Sequence, residues 1–190
     1  MEREGFSRAG DDLARLYLAD IVRTFRNYKA LGDKALAGAP DAHLVTELDA
    51  NSNSIAVIVK HVGGNLKSRF RDFLTSDGEK PDRHRDSEFE MTDAVGRETI
   101  LGWWNEGWGI ALASLEALRP ADLSRTITIR GEAFAVVEAL NRSATHTAYH
   151  VGQIVYLARH FAGPSWKSLS IPKGQSTAAG GDFKTRGIAR

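Results

Sequence analysis

Hydrophobic positions recur at three- and four-residue steps in four stretches of the chain, the period of an amphipathic helix. The first covers residues 11–31, where Leu13, Leu16, Tyr17, Ile21, Thr24, Phe25, Tyr28 and Leu31 mark the repeat. Asp11 and Asp12 suit its start, the positive end of the helix dipole, and Gly38-Ala39-Pro40 breaks the pattern. The second, residues 52–74, carries Ile55, Val59, Val62, Leu66, Phe70 and Phe73 behind four N-cap candidates, Asn51, Ser52, Asn53 and Ser54. The third, residues 93–118, contains Ile100, Trp103, Trp104, Trp108, Ala111, Leu112, Leu115 and Leu118, and Pro120 stops it. The fourth, residues 135–161, buries Val136, Leu140, Ala144, Thr147, Val151, Ile154, Ala158 and Phe161 and ends at Gly163-Pro164.

The pattern changes between these stretches. Residues 125–134 read RTITIRGEAF and alternate around a glycine, which predicts one or two short strands. Residues 75–92 are polar and too long for a tight link, so this connection is either functional or mobile. Two adjacent glycines, Gly63 and Gly64, fall in the middle of the second helix. They cost it about 1.5–2 kcal/mol relative to Ala, which calls for close approach of another element. Four long helices with little strand predict an all-α fold, a four-helix bundle with a short extended segment before the last helix. One domain over 1–190 is expected, with its core in about 11–176 and a loose tail at 177–190.

Composition narrows the chemistry. The chain has 190 residues and no cysteine, so disulfides, thiolate metal sites and a cysteine nucleophile are excluded. A net charge of +1 offers no footprint for nucleic acid. The longest plain apolar run, residues 55–59, falls far short of the ~18 residues of a membrane span. With no leader-like N-terminus, the expectation is a soluble cytoplasmic protein.

Any metal must therefore sit on imidazole, carboxylate, backbone oxygen or water. His146 and His150 lie one turn apart on one face of the fourth helix, a spacing that lets two rings reach one ion. The intervening HTAYH lacks the glutamate of a metalloprotease motif. His61 sits mid-way along the second helix, beside Val62 of its buried stripe. Taken singly, these residues have ordinary explanations: a solvated pair, and a hydrogen-bonded histidine at the core edge. Taken together, they supply three ligands from two helices and leave a fourth position open, as catalytic sites do. Three neutral imidazoles suit zinc, nickel, copper or iron.

Other candidates are less specific. Asn65, four residues after His61, could orient a ligand or a water molecule, and Gln153 and Tyr149 flank the ligand helix. His84 could reach the open position from the long connection, where Arg83 and Arg85 could grip an anion or merely form a charge-mixed loop. Residues 172–175 could fold over the pocket mouth or lie on the surface. Trp103, Trp104 and Trp108 fit helix packing or a dimer seam. His43 and His160 have no evident partner. Glu138 is two turns from His146, so no general base stands near the histidines.

Two segments, SIAVIVKHVGGNL at 54–66 and NRSATHTAYHVGQIVYL at 141–157, resemble the DinB/YfiT-like superfamily. Three more, RDFLTSDGEKP at 71–81, RDSEF at 85–89 and LSIPKGQS at 169–176, resemble one bacterial branch of it without an assigned function. The resemblance spans about residues 20–176. It implies up-down-down-up helix order, a homodimer, and a divalent metal ion, usually zinc or nickel, on the positions of His61, His146 and His150. Relatives of that kind include thiol-dependent isomerases and S-transferases, which implies a low-molecular-weight thiol and a small electrophilic substrate as partners. Two functions follow as expectations. One is a metal-dependent transferase or hydrolase. The other is a non-catalytic stress-related binding or structural dimer, in which the metal only braces two helices.

Overall fold

The computed structural model describes residues 2–91 and 95–175, with side chains from Ala9 onward. Four helices form: α1 (Glu2–Gly38), α2 (Ile55–Phe70), α3 (Arg97–Glu116) and α4 (Val136–Ala162). One antiparallel hairpin, β1 (Thr126–Ile129) and β2 (Glu132–Ala135), precedes α4. The fold is thus the expected all-α bundle with a short extended segment before its last helix. Among the described residues, no helix is long and apolar enough to cross a membrane.

The helix ends follow local chemistry. α1 stops at the expected break but begins at Glu2, nine residues earlier than its apolar repeat suggested. Ser54 is the cap of α2, its hydroxyl accepting from the Val57 N–H at 3.3 Å. That helix ends at Phe70, and two residues later Asp72 takes a left-handed backbone with φ 51°. The expected start of α3, Asp93, lies outside the described residues. At α4 the Glu138 carboxylate accepts from the Ala135 N–H at 2.8 Å, so this glutamate caps its own helix.

Contacts set the helix directions. Arg97, at the start of α3, donates to the Leu36 and Ala39 carbonyls near the end of α1. Farther along, the Trp104 indole donates to Asp33 at 2.8 Å and Arg26 pairs with Glu116 at 2.7 Å, so α1 and α3 are antiparallel. Gly63 lies against Trp103 and Lys67 pairs with Glu106, so α2 runs parallel to α3. Tyr17 donates to Asn141 at 2.8 Å, while Gly38 touches Trp166 just past α4, so α1 and α4 are parallel. The order is up-down-down-up.

Phe25, Phe70, Trp104 and Trp108 fill the centre, with Phe25 edge-on to Phe70 at 5.6 Å and to Trp108 at 6.1 Å. Trp104 and Trp108 are fully buried, which decides for helix packing over a dimer seam. Leu13 and Leu16, counted in the expected stripe of α1, are instead exposed at 68% each. At ~100° per residue, Leu16 stands about 180° from Phe25, on the opposite side of the helix.

The paired glycines serve two different neighbours. A Cβ on Gly63 would lie 3.0 Å from the Trp103 carbonyl carbon, and one on Gly107 would lie 2.6 Å from the Gly63 Cα. α2 and α3 therefore meet backbone to backbone. A Cβ on Gly64 would instead lie 2.9 Å from the Glu88 carboxyl carbon, so this glycine admits a side chain from the long connection.

That connection is pinned rather than loose. The Ser68 hydroxyl donates to the Gly78 carbonyl at 2.8 Å and accepts from the Lys80 N–H at 3.1 Å. Lys60 reaches the Ser87 and Glu90 carbonyls at 2.6 and 3.1 Å. The hairpin is tied to the same connection. Its turn residues Arg130 and Gly131 have φ 56° and 78°, the type I′ geometry that matches strand twist. Their N–H groups donate to the two oxygens of Asp77 at 2.9 Å each. Ile127 and Ile129 face inward from β1.

Candidate metal centre

α2 and α4 face each other across polar side chains. Successive turns of α2 present His61, Asn65 and Arg69, and α4 presents Arg142, His146 and Tyr149. His61 is only 5% exposed because α4 covers it from one side and the 3₁₀ turn Arg85–Phe89 from the other. Its Nε2 lies 3.3 Å from His146 Nε2. One ring nitrogen from each of His61, His146 and His150 can be chosen so that all three lie within 4.8 Å of one another. A tetrahedral ion at about 2.0–2.1 Å from each imidazole needs nitrogens about 3.3 Å apart, so small side-chain movements close the set. These three histidines could hold a metal ion.

The surrounding groups suit that use. His61 Nδ1 lies 2.8 Å from Glu88 Oε2, and Arg83 donates to both oxygens of the same carboxylate at 2.8 and 2.9 Å. A carboxylate fixes the proton on Nδ1 and leaves the Nε2 lone pair for coordination. Burial works to raise the Glu88 carboxyl, but the hydrogen bonds from His61 and Arg83 prevail and hold it below the usual range. His150 Nδ1 meets Gln153 Oε1 at 2.8 Å, which orients a second ring in the same way. Burial, with the neighbouring His150 and His61, pulls His146 down to about 4. Burial also lowers His150, with the Gln153 hydrogen bond acting in the opposite direction. Both rings are therefore neutral near pH 7, the form that binds metals.

Beside the histidines opens a cavity of about 480 Å³. Of the other sequence candidates, Asn65, Arg83, Arg85 and Tyr149 line it. Tyr149 is exposed, with its ring edge-on to His150 at 4.5 Å. His84 lines a different cavity, with Lys60 and Lys67 on the far side of Glu88. Pro172 to Gln175 do not line the histidine cavity. His43 stacks on Phe161 at 4.8 Å, and His160 packs edge-on against the same ring.

Glu88 is the residue that sequence reasoning missed. It comes from an irregular connection in which no periodicity singles out one acidic side chain among several. Gly64, the position that admits it, was the available signal. Arg83, named from the sequence as a possible anion grip, is also the buried partner of Glu88 and Glu79.

A family model described as a protein of unknown function (DUF1572) matches residues 12–175, and the chain belongs to that family. No curated protein and no solved structure matches the chain.

Proposed function

We propose that this DUF1572 protein is a metal-dependent enzyme of the DinB/YfiT-like superfamily, acting as a thiol-dependent S-transferase or a related hydrolase. The observation that carries the proposal is the convergence of His61, His146 and His150, the first two of which line an open cavity. The up-down-down-up order, with the histidines on the second and fourth helices, supports the superfamily.

A zinc or nickel ion bound there supplies Lewis acidity, which lowers the pKa of a thiol or a water molecule. The protein's own groups do the rest. Glu88 and Gln153 hold two imidazoles in the coordinating tautomer, and Asn65 and Tyr149 border the space left for a substrate. The chain has no cysteine, so the sulfur of any thiol chemistry must enter as a substrate.

One observation favours a metal that only braces α2 against α4. Among the described residues no carboxylate lines the cavity, and Glu88 is already engaged by His61 and Arg83. Untagged protein should contain one equivalent of divalent metal, and His146→Ala should lose it. Metal-free native protein, or unchanged content in the variant, would remove the site. Azide should perturb the visible spectrum of cobalt-substituted protein if a coordination position is open. A bracing metal would leave that spectrum unchanged.

A homodimer belongs to the same proposal. Leu13 and Leu16 on α1 and Tyr156 on α4 are large apolar side chains left exposed on helices that pack together. A monomer in light scattering would remove this part.

A further inference from the structure

Among the described residues, the cavity beside the histidines is lined by five arginines and no carboxylate. They come from four elements: Arg69 from α2, Arg83 and Arg85 from the long connection, Arg130 from the hairpin turn and Arg142 from α4. Two acidic residues behind the wall compensate part of this charge. Glu79 is shared by Arg69 at 3.1 Å, Arg83 at 3.4 Å and Arg130 at 2.9 Å. Glu88 is shared by Arg83 and His61. Among the described residues Arg85 pairs only with Asp86, at 3.6 Å, and that carboxylate is 98% exposed. Among the described residues, Arg142 has no ion-pair partner, and its guanidinium stands 5.9 Å from the Phe134 ring centre.

Five guanidinium groups thus face two firmly held carboxylates, which leaves more than one positive charge uncompensated before any metal is added. Like charges gathered around a concave surface repel one another, and they focus a field that concentrates small anions. The chain as a whole carries only +1, so the field belongs to this cavity rather than to a long basic stripe. The volume suits a small molecule rather than a polymer. Three of the five guanidinium groups are also held in place. Arg130 is fixed in a left-handed turn by Asp77, and Glu79 ties it to Arg69 and Arg83. Planar guanidinium groups match the oxygens of carboxylate and phosphate.

We propose that this cavity binds a small molecule bearing at least two negative charges, its oxyanion groups held by Arg142, Arg85 and Arg130 beside the histidines. This names the substrate class of the proposed enzyme and rests on that reading only for the chemistry that follows binding.

Calorimetry on the full-length protein tests it, with and without one equivalent of zinc. The probes are succinate, inorganic phosphate and, as a neutral counterpart, succinamide. Succinate or phosphate should bind saturably, succinamide should not, and added salt should weaken the binding. Arg142→Gln and Arg85→Gln alter exposed side chains and should each weaken it about 10-fold, with little change in melting temperature. Preference for one anion assigns carboxylate or phosphate and supports the proposal either way. Equal binding of succinamide, unchanged affinity in the double variant, or no anion binding by protein that takes up zinc would overturn it. Arginine-dependent anion binding in protein that takes up no zinc would sink the metal proposal and leave this one standing.

Discussion

α2 has two dissimilar neighbours. Against α3 it presents Gly63, whose backbone meets that of Gly107 and packs on Trp103. Against α4 it presents His61, Asn65 and Arg69, whose polar ends keep a cavity of about 480 Å³ open. The first contact excludes water and side chains alike. The second holds the helices together through a few directed polar contacts. Open polar seams stand on rigid neighbours, because a binding constellation tolerates only about 0.5 Å of drift in its side chains. The tight α2–α3 contact supplies that rigidity to His61, one helical turn or less away.

The comparison breaks most easily on its tight side. In Gly107→Ala, the new methyl would lie 2.5 Å from the Gly63 carbonyl oxygen and 2.6 Å from its Cα. A backbone cannot swing aside as a side-chain tip can, so overpacking near the upper end of about 1–3 kcal/mol is expected. The better helix propensity of alanine returns about 1 kcal/mol. The net loss should be about 2 kcal/mol, with a melting temperature lower by about 4–8 °C. Urea denaturation of metal-free protein measures it. An alanine tolerated at no cost would mean that the two helices do not meet as described.

On the open side, the sharpest substitution is Glu88→Gln. The amide oxygen can still accept from His61 Nδ1, but the charge that strengthens this imidazole as a donor is lost, and Arg83 keeps only Glu79. Zinc affinity should fall about 10-fold, or about 1.4 kcal/mol, measured by competition with a chromophoric chelator. An unchanged affinity would reduce Glu88 to a partner of Arg83 alone.

The two sides also differed in how far the amino-acid pattern revealed them. The buried stripe of α2, its Ser54 cap and the need for a close neighbour at Gly63-Gly64 were all legible, because helix period and glycine cost are local properties. His61, His146 and His150 stood out because two share a helix face and the third lies mid-helix. Arg83 and Arg85 stood out only as a possible anion grip, and Glu88, Arg69, Arg130 and Arg142 did not, since they arrive from a loop, a hairpin turn and two helices that only the tertiary fold brings together. Residues 75–92 read as either functional or mobile, and the choice was not legible: Ser68, Lys60 and Asp77 tie down the described part, 75–91, through backbone contacts that leave no periodic trace. Leu13 and Leu16 misled in the other direction, because counting three- and four-residue steps accepts a residue before its angle around the helix is checked. Helix directions came from the family resemblance, not from periodicity, which carries no information on which neighbour runs parallel.

The smallest effect concerns a glycine two residues beyond the tight contact. Gly109 is exposed, and a Cβ built there meets nothing within 4 Å. It lies within α3, so its glycine brings only the entropic cost of a flexible backbone. Gly109→Ala should therefore stabilise the protein by about 1 kcal/mol and raise the melting temperature by about 2–4 °C. The same chemical change thus has opposite signs at Gly107 and Gly109, with propensity alike at both and contact present at only one. If both variants were destabilised by similar amounts, the cost would lie in α3 itself, in a bend that needs glycine, and not in its contact with Gly63. Zinc affinity separates the cases further. Gly109→Ala should leave it unchanged, because nothing links that exposed face to His61, whereas Gly107→Ala displaces the helix on which His61 stands.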